Sequence, residues 1–215
     1  MQQSVKFLRG YTDENGKEHK SATIGRRIKG RDLFEIDEEL KGLTPSVTDL
    51  PFYRAATVSF GELKEPFPMK AFLSLVSIDR ERLVKAYEDF IRETSKEREV
   101  EIISDDTVRL AFGIERDGSI YNVAKFGYLL TGFDEIEADD KRYTGMKRVC
   151  YLLRKEIISF TTQDGALSLP CPLPMTVLEE MDMVDILALR ETSLRYSDSF
   201  NEAAENEEVA QAAAN

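Results

Sequence analysis

The chain is poor in the residues that carry most side-chain chemistry. Its 215 residues hold one histidine, two cysteines and no tryptophan. A lone His19 leaves no Ser–His or Cys–His pair to build a nucleophile from, and its neighbours in sequence are polar strand residues. Cys150 and Cys171 are too few for a disulfide framework and too far apart for a CxxC metal or redox pair. Reduced thiols in a cytosolic protein are the simplest reading. No apolar run approaches the roughly 20 residues that span a bilayer. The first residues, MQQSVKFLRGYTDENGK, lack the apolar middle of a signal peptide. Forty acids against 29 bases argue against binding driven by nucleic-acid phosphates.

The acidity is uneven. Residues 197–215 hold five acids and no Lys or Arg, and read as a disordered acidic tail. Residues 17–31 reverse the sign, with six bases and one acid, and the next eight residues carry five acids. A solvated strand face followed by an acidic helix start explains this alternation.

The most informative presence is an internal repeat. Residues 16–37 align with 118–139 at a constant offset. Seven pairs are identical: Gly16/Gly118, Ala22/Ala124, Gly25/Gly127, Gly30/Gly132, Asp32/Asp134, Glu35/Glu137 and Asp37/Asp139. A second block, PFPMKAFLSLVSIDRERL (66–83), aligns with PLPMTVLEEMDMVDILAL (172–189). It matches Pro66, Pro68, Met69, Asp79 and Leu83 to Pro172, Pro174, Met175, Asp185 and Leu189. The chain therefore reads as a tandem duplication, with unit one at 1–97, unit two at 98–196 and the tail at 197–215. The expected fold class is α+β, each unit an antiparallel β-hairpin followed by about three α-helices, the two packed together.

Within each unit, Asn15-Gly16 and Asp117-Gly118 predict hairpin turns, because these residues tolerate positive φ. Val108, Leu110, Phe112 and Ile114 alternate with polar residues and predict a half-buried strand. Asp32 and Asp134 fit helix N-caps after Gly30 and Gly132, with Glu35 and Glu137 at capping-box spacing. Phe52, Ala55, Ala56, Ser59 and Phe60 predict one helix, and Val149, Leu152, Leu153, Ile157 and Phe160 its counterpart. Pro68 and Pro174 start short helices, and Ser77 and Asp182 cap a final one.

Candidate chemistry is thin. Gly25–Gly30 matches the first positions of a phosphate-binding loop, but Arg31-Asp32 stands where Lys and Ser/Thr are needed. Asp32, Glu35, Asp37, Asp134, Glu137, Asp139 and Asp140 could suggest metal or paired carboxylates. Capping and solvation explain them better. A basic patch of Arg26, Arg27, Lys29 and Arg31 meets Tyr128, Leu129, Thr131 and Phe133 in the second unit, which weakens a nucleic-acid reading. No catalytic, cofactor or metal residue is assigned. The repeat-signature positions Gly30, Asp32, Pro68, Asp79, Gly132, Asp134, Pro174 and Asp185 read as keepers of the fold.

The unit itself resembles a known family. VRLAFGIERDGSIYNVAKFGYLLTGFDEIEADD and LPMTVLEEMDMVDILAL in the second unit, with IGRRIKGRDLFEIDE and FPMKAFLSLVSIDRERL in the first, resemble the tail assembly chaperones of Mu-like contractile-tailed phages. That resemblance implies a non-enzymatic, cytoplasmic role in the host bacterium. It implies protein partners, namely the tape-measure protein and tail-tube subunits, with no cofactor, nucleic acid or membrane, and leaves self-association open. Members usually carry one such unit, whereas this chain would carry two. The alternative is a permanent structural component of a phage tail, baseplate or contractile injection apparatus.

Overall fold

The computed structural model describes the backbone of all residues except Glu97 and 214–215, and side-chain surroundings except at Glu97 and 201–215. The chain is α+β. Its described residues form eight α-helices and two antiparallel sheets, one of three strands and one of five. They divide into two compact units: residues 1–28 with 32–97, and residues 29–31 with 98–215.

In the first unit β1 (Gln3–Thr12) and β2 (Glu18–Ile24) form the hairpin that Asn15-Gly16 predicts, with Gly16 at φ +78°. α1 (Gly30–Leu40) and α2 (Leu50–Ala56) follow. The chain then returns to the sheet as β3 (Thr57–Phe60), giving the order β1-β2-β3. α3 (Met69–Leu73) and α4 (Ser77–Thr94) complete the unit, α4 lying against β1 and β2. Phe60 sits at the centre of the core, its ring 5.4 Å from Phe7 and 5.2 Å from Phe72.

The second unit adds a strand at each sheet edge. β4 (Glu101–Ser104) precedes the hairpin of β5 (Thr107–Arg116) and β6 (Ser119–Phe126). Asp117 and Gly118 both have positive φ, at 51° and 76°, as a type I′ turn requires. α5 (Gly132–Asp140) and α6 (Gly145–Glu156) lead to β7 (Ile157–Thr162) and β8 (Ser168–Leu169). α7 (Met175–Glu180) and α8 (Met183–Ala213) close the unit, α8 lying against β5 and β6. The acidic tail expected to be disordered at 197–215 instead continues α8 as helix to Ala213, and residues 214–215 lie outside the described set.

Several expectations need correction. The helix expected through Phe60 stops at Ala56, and the one expected through Phe160 stops at Glu156. The residues beyond them pair with the hairpin as β3 and β7. Apolar residues spaced three and four apart fit a helix, but β-branched Thr57, Val58, Ile157 and Ile158 favour the strand. Each unit thus holds four α-helices rather than three. Asp32 and Asp134 are the third residues of α1 and α5, which Gly30 and Gly132 open, and not their N-caps. Pro68 and Pro174 stand immediately before α3 and α7, as expected. Ser77 is the first residue of α4 and supplies no cap, whereas the Asp182 carboxylate accepts the Val184 N–H at 3.1 Å.

One device recurs in both sheets. In β1, four residues (Phe7–Gly10) lie between paired positions where β2 has only Lys20; in β5, four residues (Leu110–Gly113) face only Asn122. Such a bulge turns several N–H groups out of the ladder and leaves them needing acceptors. A buried carboxylate supplies them. Asp79, the third residue of α4, accepts Leu8, Arg9 and Gly10 N–H at 2.5, 2.9 and 2.9 Å. Asp185, the third residue of α8, accepts Ala111, Phe112 and Gly113 N–H at 2.8, 3.2 and 2.8 Å. Both aspartates are fully buried. Each also sits in the first turn of its helix, where the dipole favours an anion. The bulges end on Gly10 (φ +68°) and Gly113 (φ +62°), where a Cβ would stand 2.2 Å from the His19 carbonyl oxygen and 2.3 Å from that of Tyr121.

Asp79→Ala and Asp185→Ala orphan three buried amides each, so each variant should lose about 3 kcal/mol of unfolding free energy. Urea denaturation of the full chain measures this. A loss within about 0.5 kcal/mol, the scale of an ordinary surface change, would show that the carboxylates do not hold the bulges.

Candidate functional site

The polar side chains that could react are mostly committed to each other. His19 is buried in the first unit, its Nε2 3.1 Å from Asp13 and its Nδ1 accepting the Glu62 N–H at 3.3 Å. Both ring nitrogens thus have partners, and a neutral ring satisfies both. Cys150 is buried in α6. No group of three or more His, Cys, Asp or Glu side chains among the described residues could hold a metal ion. The Gly25–Gly30 segment offers no phosphate cradle: the Gly25 and Arg26 N–H groups both donate to the Ala56 carbonyl, and Ile28 is buried.

The basic patch is partly committed as well. Arg26 donates to the Ala55 carbonyl at 2.8 Å and lies 3.6 Å from the Asp32 carboxylate. Arg27 donates to the hydroxyls of Thr94 and Ser95 at 2.8 and 3.1 Å. Two of the four cations of that patch therefore bind groups within the first unit.

The densest polar cluster sits where α5 begins. The Asp134 carboxylate accepts from the Thr131 N–H and hydroxyl, each at 2.8 Å, and from the Tyr128 hydroxyl at 2.9 Å. Lys155, reaching from the end of α6, donates to Asp134 at 2.8 Å and to Glu137 at 2.5 Å. Thr131 with Asp134, rather than Asp134 with Glu137, thus makes the capping-box spacing at the α5 N-terminus. The Lys155 ammonium, then the Thr131 and Tyr128 donors, hold the Asp134 carboxyl far below its usual range. Lys155, with Tyr151 and Lys141, lowers Glu137 to about 2, and the two carboxylates in turn raise Lys155. Sequence spacing singled out the two acids but not Lys155, which lies 21 residues from Asp134. Every charge in the cluster has a counter-charge, which is the condition of a structural clamp rather than of a poised acid or base.

Beside this cluster opens a cleft of about 420 Å³ lined by Tyr128, Asp134, Lys155, Ile157, Ile158, Cys171 and Pro172. Burial pushes the Cys171 thiol up, so it is a poor nucleophile. Around the same end of the unit several large apolar side chains face solvent: Phe133 is 84% exposed and Ile136 56%, with Tyr128, Leu129 and Ile158 about half as exposed as Phe133 or somewhat more. Phe133 and Ile136 are three residues apart on α5 and so share a face. Ile158 lies across Gly127, its Cδ1 2.2 Å from where a Cβ would stand. The surface suits binding: apolar, concave at one side, and without an unpaired reactive group.

The other signature positions serve the fold. Gly30 and Gly132 open helices, Pro68 and Pro174 precede them, Asp32 pairs with Arg26, and Asp79 and Asp185 hold the bulges. No helix among the described residues is long and apolar enough to cross a membrane. No protein family, characterised protein or solved structure matches the chain.

The two clamping aspartates titrate in opposite directions. Burial raises Asp79, but the Gly10, Leu8 and Arg9 amides and nearby Arg82 outweigh it and hold the carboxyl below 3.8. For Asp185 deeper burial, with the Asp182 charge, outweighs its amide donors and pushes the carboxyl up to about 6. Native Asp185 takes up its proton first, so its contribution to stability grows as pH falls from about 6 towards the ordinary 3.8. The Asp79 contribution is complete above 3.8 and is lost as pH falls through its lowered native value. Carboxyl NMR titration should give midpoints on opposite sides of 3.8. In Lys155→Met the Asp134 and Glu137 midpoints should move up towards ordinary carboxylate values, while that of Asp79 stays unchanged.

Proposed function

We propose that the chain is a non-enzymatic tail assembly chaperone of a phage or prophage. In this reading it arose by tandem duplication of one hairpin-and-helix module. It binds the tape-measure protein and assists tail-tube assembly in the host cytoplasm. The observation that carries the reading is the paired motif. Gly-x-Asp at 30–32 and 132–134 and Pro-x-x-x-x-x-x-x-x-x-x-Asp from Pro68 to Asp79 and Pro174 to Asp185 recur in the same order and resemble the chaperone family's plan twice. The structural duty shared by Asp79 and Asp185 supports duplication, because two unrelated segments would have no reason to cap the same bulge from the same helical position. The internally paired polar clusters and the exposed Phe133–Ile136 face support binding in place of catalysis. A tape-measure protein exposes apolar helix faces until the tube encloses it, and such a face needs an apolar, soluble cover.

Affinity purification of the full chain from producing cells, followed by mass spectrometry, tests the reading. The tape-measure protein should be the main partner in lysates, and the chain should be missing from purified particles. Stoichiometric incorporation into particles would overturn it in favour of a permanent tail or baseplate component. Phe133→Ser with Ile136→Ser should lower recovery of the partner without lowering the melting temperature.

A further inference from the structure

The two bulged strands differ in what lies along their outer edges. Leu8 N–H, bound by Asp79, and the Lys6 carbonyl, bound by Arg82 at 3.0 Å, both point away from β2. Because N–H and C=O of alternate residues point the same way along a strand, the polar groups of Ser4 and Lys6 line the free edge of β1. In the second unit Ala111 N–H, bound by Asp185, fixes the matching direction in β5. There Thr107 and Arg109 line the edge, and β4 covers it in the antiparallel pairs Ser104 with Thr107 and Glu101 with Arg109. Glu101 also forms an ion pair with Arg109. Among the described residues no strand covers Ser4–Lys6.

We infer that the β1 edge at Ser4–Lys6 is a docking site for an extended segment of a partner protein, added antiparallel as a further strand. The β4 strand shows the chemistry such a segment needs. It carries a carboxylate opposite Lys6, as Glu101 stands opposite Arg109, and next to it an aliphatic residue opposite Val5, as Ile102 stands opposite Val108. Val5 and Val108 are both buried. Main-chain hydrogen bonds would supply affinity and the carboxylate its register. Arg82 is half-exposed and holds the Lys6 carbonyl that the incoming strand needs, so it must swing aside; Ala188 aligns with it in the second unit, where β4 is in place. Beyond Lys6 the edge is closed, since Asp79 holds the Leu8, Arg9 and Gly10 amides. The site therefore accepts a short strand and stops it at the bulge. This inference rests on the geometry of the two edges and not on which protein the chain assists.

The probe is a peptide with the sequence of residues 98–105, REVEIISD, added to isotope-labelled full chain. Amide signals of Ser4, Val5 and Lys6 should shift while those of β3 do not. Lys6→Glu should weaken binding about fivefold, and a peptide carrying Lys in place of its second glutamate should restore it. Arg82→Ala should strengthen it. A second variant removes dependence on peptide affinity: residues 98–106 replace residues 1–3, reproducing the β4–β5 hairpin ahead of Ser4. Its Ser4 and Lys6 amides should exchange at least about tenfold more slowly than in the native chain. Unchanged exchange in the grafted chain overturns the inference. So does concentration-dependent protection of these amides without peptide, which would make a second copy the occupant. Recovery of the tape-measure protein with an unprotected edge would sink this inference and leave the chaperone reading standing; the converse result would do the reverse.

Discussion

A buried carboxylate at the start of the last helix of each unit fixes the first long strand of its hairpin. Asp79 and Asp185 each bridge about 70 residues of chain to reach three consecutive backbone amides. The bulge could not persist without them, since an unpaired buried N–H costs on the order of 1–3 kcal/mol. The aspartates in turn could not be buried without the amides, because an isolated carboxylate in a core is far costlier still. Helix and strand are thus held in one register by mutual need. The rest of each unit is arranged around it: the glycine that lets the bulge turn, the helix packed along the hairpin, and the third strand that closes the other side.

Both units hold this device and differ elsewhere. The first carries Arg26 and Arg27, which bind its own carbonyl and hydroxyl groups. The second carries Tyr128 and Leu129 at the matching positions, both partly exposed, with the Tyr128 hydroxyl donating to Asp134. It also has Lys155 one residue before the end of α6, where the first has Ala55 one residue before the end of α2, and with it a clamp for the start of α5. The sheets differ likewise, three strands against five. The two units therefore present unlike surfaces, the first polar with β1 at an open sheet edge, the second apolar with β4 and β8 covering β5 and β7.

What the sequence disclosed was local. Both hairpin turns were legible because Asn15-Gly16 and Asp117-Gly118 have few other conformations to adopt. Pro68 and Pro174 marked helix starts for an equally local reason. The α+β class followed from seeing period-two and helical patterns side by side. Asp79 and Asp185 stood out as matched positions, but their partners lie far away along the chain, and backbone amides leave no trace in sequence. The third strands were lost because Ser59 and Phe60, or Ile157 and Phe160, keep helical spacing with the residues before them; pairing with β2 and β6 overrides that pattern. Lys155 escaped notice because nothing in its own neighbourhood marks a lysine at a helix end as the partner of an acid in another helix.

The carboxylate bridge also sets a clock for synthesis. Strand β5 leaves the ribosome with three amides that have no acceptor until Asp185, 72 residues beyond Gly113, has emerged as well. At roughly 5–20 residues per second that interval lasts several seconds, far longer than a hairpin takes to form. Each unit therefore passes through a stage in which its hairpin exists with an unsealed bulge, and it ends only when its own last helix arrives. The first unit completes that passage while the second is still being made, so the nascent chain exposes one unsealed bulge at a time.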